Sequence, residues 1–168
     1  MTGKTHFSLG ILVGASVATY YQEDVFATIT IVALSALSSI FPDICHTKSK
    51  IGRRLVLLSV VFSLLVGHRT LTHSLLFVIL IGVLLHILNT PIDFFLAITI
   101  GLCSHIFLDM LTPRGVKLLY PLPINVKFPV TFKTGGIVDL SLATALMIGS
   151  LYLLFTSYWQ GIFINMLK

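Results

Sequence analysis

The chain has 168 residues, 56% of them hydrophobic and only 10% charged; soluble domains carry roughly 25% charged residues. With a mean hydropathy of +1.00, this composition excludes an ordinary water-soluble domain and indicates a single integral membrane domain over 1–168. The formal net charge of +5 would raise nucleic-acid binding in a soluble protein. Here the basic residues sit in short loops beside apolar runs, no nucleic-acid-binding motif appears, and the positive-inside rule accounts for them. The start, Met1 to Lys4, leads into an apolar run without a cleavage-site pattern. Cys45 and Cys103 are too few for a disulfide framework.

In chain order, apolar segments read at about 7–21, 25–41, 55–66, 74–90, 94–111 and 137–158. A full crossing takes about 17–25 residues. The segments at 25–41, 74–90, 94–111 and 137–158 suffice, and 7–21 does so with flanking residues. The run at 55–66 suits a re-entrant or interfacial helix. Gln22-Glu23-Asp24 and Asn89-Thr90-Pro91-Ile92-Asp93 mark turns, and the 112–136 stretch, with Pro113, Pro121, Pro123, Pro129 and Gly135-Gly136, reads as a loop. The expected fold is all-α: a polytopic helical membrane protein with five transmembrane helices and one short helix.

The 55–66 run decides the topology. If it does not cross, Lys4, the 42–54 loop, Arg69 and the 112–136 loop share one side, while Glu23, Asp24 and Asp93 lie opposite. Charge bias makes the first side cytoplasmic. The same choice brings His6, Asp43, His46, His68, His73, His105 and Asp109 to that face. If the run does cross, His68 and His73 part from Asp43 and His46.

These residue types are metal ligands. Ionisable groups at membrane depth are expensive and face protein or water-filled cavities. His105 and Asp109 stand four apart, one turn along a helix face, which suits imidazole and carboxylate ligation; a hydrogen-bonded His–Asp pair is the structural alternative. In His68-Arg69-Thr70-Leu71-Thr72-His73-Ser74, Thr72 is the expected helix cap and Arg69 suits a phosphate or carboxylate. Asp43 and His46 flank Cys45, which reads as a small buried side chain, with thiolate ligation as the alternative. His86 lies near the opposite boundary and reads as structural. Asp139 is a supporting candidate. More than four ligands on one face suggests two ions rather than one.

Three runs carry a family resemblance: Pro42-Asp43-Ile44-Cys45-His46-Thr47-Lys48-Ser49 with Ile51-Gly52-Arg53-Arg54; His68-Arg69-Thr70-Leu71-Thr72-His73-Ser74; and Ser104-His105 through Asp109 with Thr112-Pro113-Arg114-Gly115 and Lys117 to Pro121. In these the chain resembles the YdjM-like, LexA-regulated inner-membrane proteins of bacteria, predicted to be membrane-bound metal-dependent hydrolases. The chain departs from the family pattern at Cys45, where a second Asp is usual; a thiolate there would favour a softer ion such as zinc.

The resemblance implies a bacterial inner-membrane protein of the SOS response. The expected cofactor is a divalent metal, one or two ions, zinc first and manganese second. The expected activity is hydrolysis at the cytoplasmic membrane boundary, with Asp43 or Asp109 as ligand or base and Arg69, Lys48, Arg53 or Arg114 holding an anionic group. Location and basic charge point to membrane lipid as partner and to a phospholipid or lipid-linked phosphoester as substrate. The alternative is a non-catalytic metal-binding membrane protein with a partner-binding or stress-response role. An ion pathway fits less well, because only His86 and His105 approach the midplane.

Overall fold

The structure is a computed structural model and describes residues 1–45 and 71–166. The described residues are helical apart from turns and one isolated antiparallel bridge, Val116 to Val126. Helix α1 runs Gly3–Tyr21, α2 Val25–Ile40, α3 Leu75–Ile87, α4 Ile92–Met110 and α5 Ile137–Met166; a short 3-10 turn, Phe41–Cys45, continues α2. The expected run at 55–66 lies outside the described residues.

Helix α1 is the centre of the bundle, packing against α2, α4 and α5. Its sequence explains why. Gly10 and Gly14, four apart, present a bare backbone strip to α2: a Cβ on Gly14 would lie 2.6 Å from the Cα of Val32, and one on Gly10 2.7 Å from the Cβ of Ser39. Gly101 of α4 approaches the carbonyl of Ser35 in the same way. Small residues at such crossings let membrane helices meet backbone to backbone, where lipid offers no hydrophobic drive for association. Val17, Ala18, Ile31 and Ala97 close the core on the far side of this contact.

Outward faces are apolar. Phe26, Ile29, Leu80, Ile87, Ile148, Leu151 and Phe155 are all more than half exposed or at half, a surface that belongs against lipid rather than water. Among the described residues, three helices are long and apolar enough to cross a membrane: Val25–Asp43, Ile92–Met110 and Ile137–Trp159. Of the other two expected crossings, α1 has the length, with 19 residues, and carries Lys4, Thr5, His6 and Ser8 in its first turns. Helix α3 has 13 residues, about 20 Å at 1.5 Å per residue, short of the ~30 Å hydrocarbon core. It stops early because Leu88 leaves helical geometry and Asn89 turns left-handed at φ 52 before Pro91.

Helices α1, α3 and α5 begin, and α2 and α4 end, at the same end of the bundle. The chain leaves that end at Asp43 and is back there at His73, with His73 Nε2 and Asp43 Oδ1 3.9 Å apart.

Candidate metal centre

Five of the predicted ligand residues meet at that end. His6 comes from the first turns of α1, Asp43 from the 3-10 turn after α2, His73 from the turn before α3, and His105 and Asp109 from the last two turns of α4. His6, His105 and Asp109 form one group of ligand atoms within 4.8 Å of one another, and Asp43, His73 and His105 form a second. His105 belongs to both, so the groups make one nest rather than two separate sites. Asp109 is its hub. Its Oδ1 lies 3.2 Å from His6 Nε2, and its Oδ2 lies 3.6 Å from both His73 Nε2 and His105 Nε2. The Met1 amino group donates to Asp109 Oδ1 at 2.8 Å, so this spot accommodates positive charge.

The imidazoles are held by the scaffold. His105 Nδ1 lies 2.7 Å from the Ser39 carbonyl. A carbonyl only accepts, so Nδ1 carries a proton, and in the neutral ring Nε2 turns its lone pair into the nest. Metal-binding histidines are oriented in this way, the second ring nitrogen donating to a carbonyl or carboxylate. Ser39 acts twice, since its Oγ also donates to the His6 carbonyl at 2.9 Å, tying α1 to α2 beneath the site. His73 Nδ1 faces Thr72 Oγ1 at 3.1 Å. That hydroxyl can donate or accept, leaving His73 Nε2 either protonated toward His105 Nε2, 3.2 Å away, or bare toward a cation. The His6 ring stacks on His105 with centroids 4.0 Å apart.

His6 is the telling residue. It is fully buried, and neither of its ring nitrogens has a hydrogen-bond partner among the described residues. Its approach to Asp109 lacks hydrogen-bond alignment. Buried polar atoms are nearly always satisfied, and an orphan asks for a missing ligand. Three imidazoles and two carboxylates, with one tautomer already fixed, fit a divalent ion of the zinc or manganese kind.

Asp139, a supporting candidate in the sequence, is fully buried but outside the nest. Its carboxylate accepts from Thr2 N at 2.9 Å, Gly135 N at 2.7 Å and the Thr5 hydroxyl. It anchors the start of α1, and therefore His6, to the start of α5. The expected cap on α3 is corrected: Ser74, not Thr72, accepts from Phe77 N at 3.3 Å. Ser74 sits at the boundary itself, while Thr72 is turned to His73. His86 is exposed at the other end of the bundle, apart from the nest, as the sequence suggests. The expected ligands His46 and His68, the expected anion-binding Arg69, Lys48 and Arg53, and the Cys45 side chain lie outside the described residues.

In front of the nest lies a cavity of about 490 Å³, with His73 and Asp109 in its wall and Arg114, Lys117 and Lys133 around it. The 111–136 loop shapes it. Val116 and Val126 exchange backbone hydrogen bonds of 3.0 and 2.8 Å, and Phe128 and Phe132 donate to the carbonyls of Met110 and Leu111. Gly115, at φ +63, lies so close to the Val126 carbonyl that a Cβ would come within 2.6 Å of it. Ser39, Lys117 and Lys133 have no part in the ligand pattern of the sequence. Ser39 contributes through its main chain as well as its hydroxyl, which no motif displays. In the sequence Lys133 reads only as loop charge, and Lys117 as loop charge and the start of a resemblance run, until the loop is folded.

A family model described as YdjM inner membrane protein matches residues 1–164. The chain belongs to the YdjM family of inner membrane proteins. Among relatives, the uncharacterized protein YvsG of Bacillus subtilis (strain 168) is 40% identical over 152 residues, covering 90% of this chain and 93% of that protein. Inner membrane protein YdjM of Escherichia coli (strain K12) is 38% identical over 111 residues, covering 63% of this chain but 57% of that relative. The Shigella flexneri protein of the same name matches to the same extent. No solved structure matches the chain. YdjM membership agrees with the three crossing-capable helices and with the resemblance carried by the three sequence runs.

Proposed function

We propose that this YdjM-family chain is a membrane-bound metal-dependent hydrolase whose site lies at the cytoplasmic boundary and acts on a lipid or lipid-linked phosphoester. The observation that carries the reading is access. Structural metal sites are closed by protein ligands, whereas catalytic ones keep an open side, and here the cavity reaches His73 and Asp109 directly. A closed nest of the same residues would favour the non-catalytic alternative.

The orientation rests on charge. Lys4, Arg114, Lys117, Lys127 and Lys133 belong to the site end, and Glu23, Asp24 and Asp93 to the other, which favours a multi-pass chain with its N-terminus and site cytoplasmic. His6, His73, His105 and Asp109 would hold the ion, with Asp43 beside it as the carboxylate left for proton transfer; one ion fits, because both groups share His105. A divalent ion supplies Lewis acidity, polarising a phosphoryl oxygen and making water acidic enough to act near neutral pH.

The protein's own residues do the rest. Ser39 fixes the His105 tautomer. Asp109 has both oxygens turned to imidazoles, so its part is holding the nest together. Asp43 is the more open carboxylate, with 21% of its side chain exposed against 11% for Asp109, and is better placed to take a proton from an attacking water. The LexA-linked stress role implied by the resemblance concerns when the protein is made and leaves this chemistry unchanged.

The test is hydrolysis by purified protein supplied with zinc or manganese, across lipid phosphoesters. Turnover that falls at least a hundredfold in Asp43→Asn with metal retained supports the reading. Full metal loading with no turnover of any ester would favour the non-catalytic role.

A further inference from the structure

The cavity has a chemistry separate from the nest behind it. The 111–136 loop carries Arg114, Lys117, Lys127 and Lys133 and not one acidic residue. Three of these four cations, Arg114, Lys117 and Lys133, line the cavity, together with Thr112, Asn125 and Thr134 as neutral hydrogen-bonding groups. Among the described residues the one carboxylate in that lining is Asp109, which is turned to the imidazoles and paired with the Met1 amino group, also in the lining. The loop is tied to the end of α4 and the start of α5 by backbone hydrogen bonds and by Gly135 N to Asp139, so the backbone positions that carry these cations are fixed around the cavity.

We infer that this cavity is a subsite for a terminal phosphate: a phosphomonoester or diphosphate head, borne by a lipid or by a soluble compound. Charge selects among anions. A phosphomonoester carries about −1.5 to −2 at neutral pH and a diphosphate more, whereas a diester or a carboxylate carries one charge and leaves two of the three cations unmatched. Geometry agrees, since a guanidinium meets two phosphate oxygens side by side while lysines serve as point charges, and Thr and Asn donors can serve the remaining oxygens. That the phosphate is the hydrolysed group rests on the hydrolase reading above; that the cavity binds it does not.

The two are separated by measuring binding on metal-stripped, full-length protein in detergent. Isothermal titration uses inorganic diphosphate, dioctanoyl phosphatidic acid and dioctanoyl phosphatidylglycerol as probes. Variants are Arg114→Gln, Lys117→Gln and Lys133→Gln, with Arg114→Lys as the charge-keeping change. Lys127→Gln removes the same charge from the same loop outside the cavity. We expect diphosphate or phosphatidic acid to bind, each cavity variant to weaken it by about tenfold or more, Arg114→Lys to recover part of the loss, and Lys127→Gln to leave binding unchanged. Tighter binding of phosphatidic acid identifies a lipid head; tighter binding of diphosphate identifies a soluble phosphate. Absence of binding to both, equal binding of phosphatidylglycerol, or an equal loss in Lys127→Gln would overturn the subsite. Phosphate binding in a protein that takes up no metal would sink the hydrolase reading and leave the subsite standing.

Discussion

The two ends of the helix bundle both carry ionisable residues, yet they are built differently. At the end where α1 begins, His6, Asp43, His73, His105 and Asp109 come from four separate segments and converge, with His6 and His105 wholly buried. At the other end Asp24 caps α2 by accepting from Ala27 N at 2.8 Å, His86 is exposed, and Asp93 is buried in the first turn of α4 without entering a ligand group among the described residues. Polar residues at the first end are desolvated together, which is costly unless something binds between them. At the second, Asp24 serves the single helix it caps. Convergence, not the number of polar residues, marks the functional end.

The sharpest way to break this contrast is to remove one histidine from each end. His6→Ala should abolish stoichiometric metal binding, and His86→Ala should leave it intact, both read by metal content after dialysis. Equal behaviour of the two would dissolve the distinction.

A similar pair probes the scaffold. Gly10→Ala forces a methyl against Ser39 and should cost about 1–3 kcal/mol of stability in detergent, the usual range for overpacking, while loosening the grip on the His6 carbonyl. Gly149→Ala meets nothing within 4 Å and should be neutral or slightly stabilising in the same thermal melts.

Asp139→Asn weakens the anchor under His6 without touching the nest. Its expected effect is about a tenfold loss of metal affinity, the low end for groups that orient ligands, measured by competition with a chelating dye. An unchanged affinity would show that α1 is held by its glycine contacts alone. The smallest effect belongs to the far end: Asp24→Ala should lower stability by about 1 kcal/mol, the worth of a helix cap, with metal content unaltered.

Most of the site was legible in the sequence because membrane burial makes each polar residue conspicuous. His105 and Asp109 stand out against α4, and alternating helix directions bring them to the same face as His6, Asp43 and His73. Helix positions were legible for the same reason, within a few residues for α1, α2 and α4. For α3 the turn at Asn89-Thr90-Pro91 was legible, but the stop at Ile87 was not, because the apolar pattern continues through Leu88. Ser39 was hidden because it looks like any small residue at a helix contact, while its carbonyl sets a tautomer. The cation-lined cavity was hidden because Lys117 and Lys133 are far apart in a loop whose path is set by the Val116–Val126 pairing.

Whether the nest holds a divalent ion is tested most directly by elemental mass spectrometry on detergent-purified protein beside His105→Ala and Asp109→Ala. Near-stoichiometric zinc or manganese is expected in the parent, and its loss in both variants. A parent that stays empty after incubation with either ion would contradict that expectation, and the convergent histidines and carboxylates would then be a hydrogen-bonded network holding α1, α3 and α4 together.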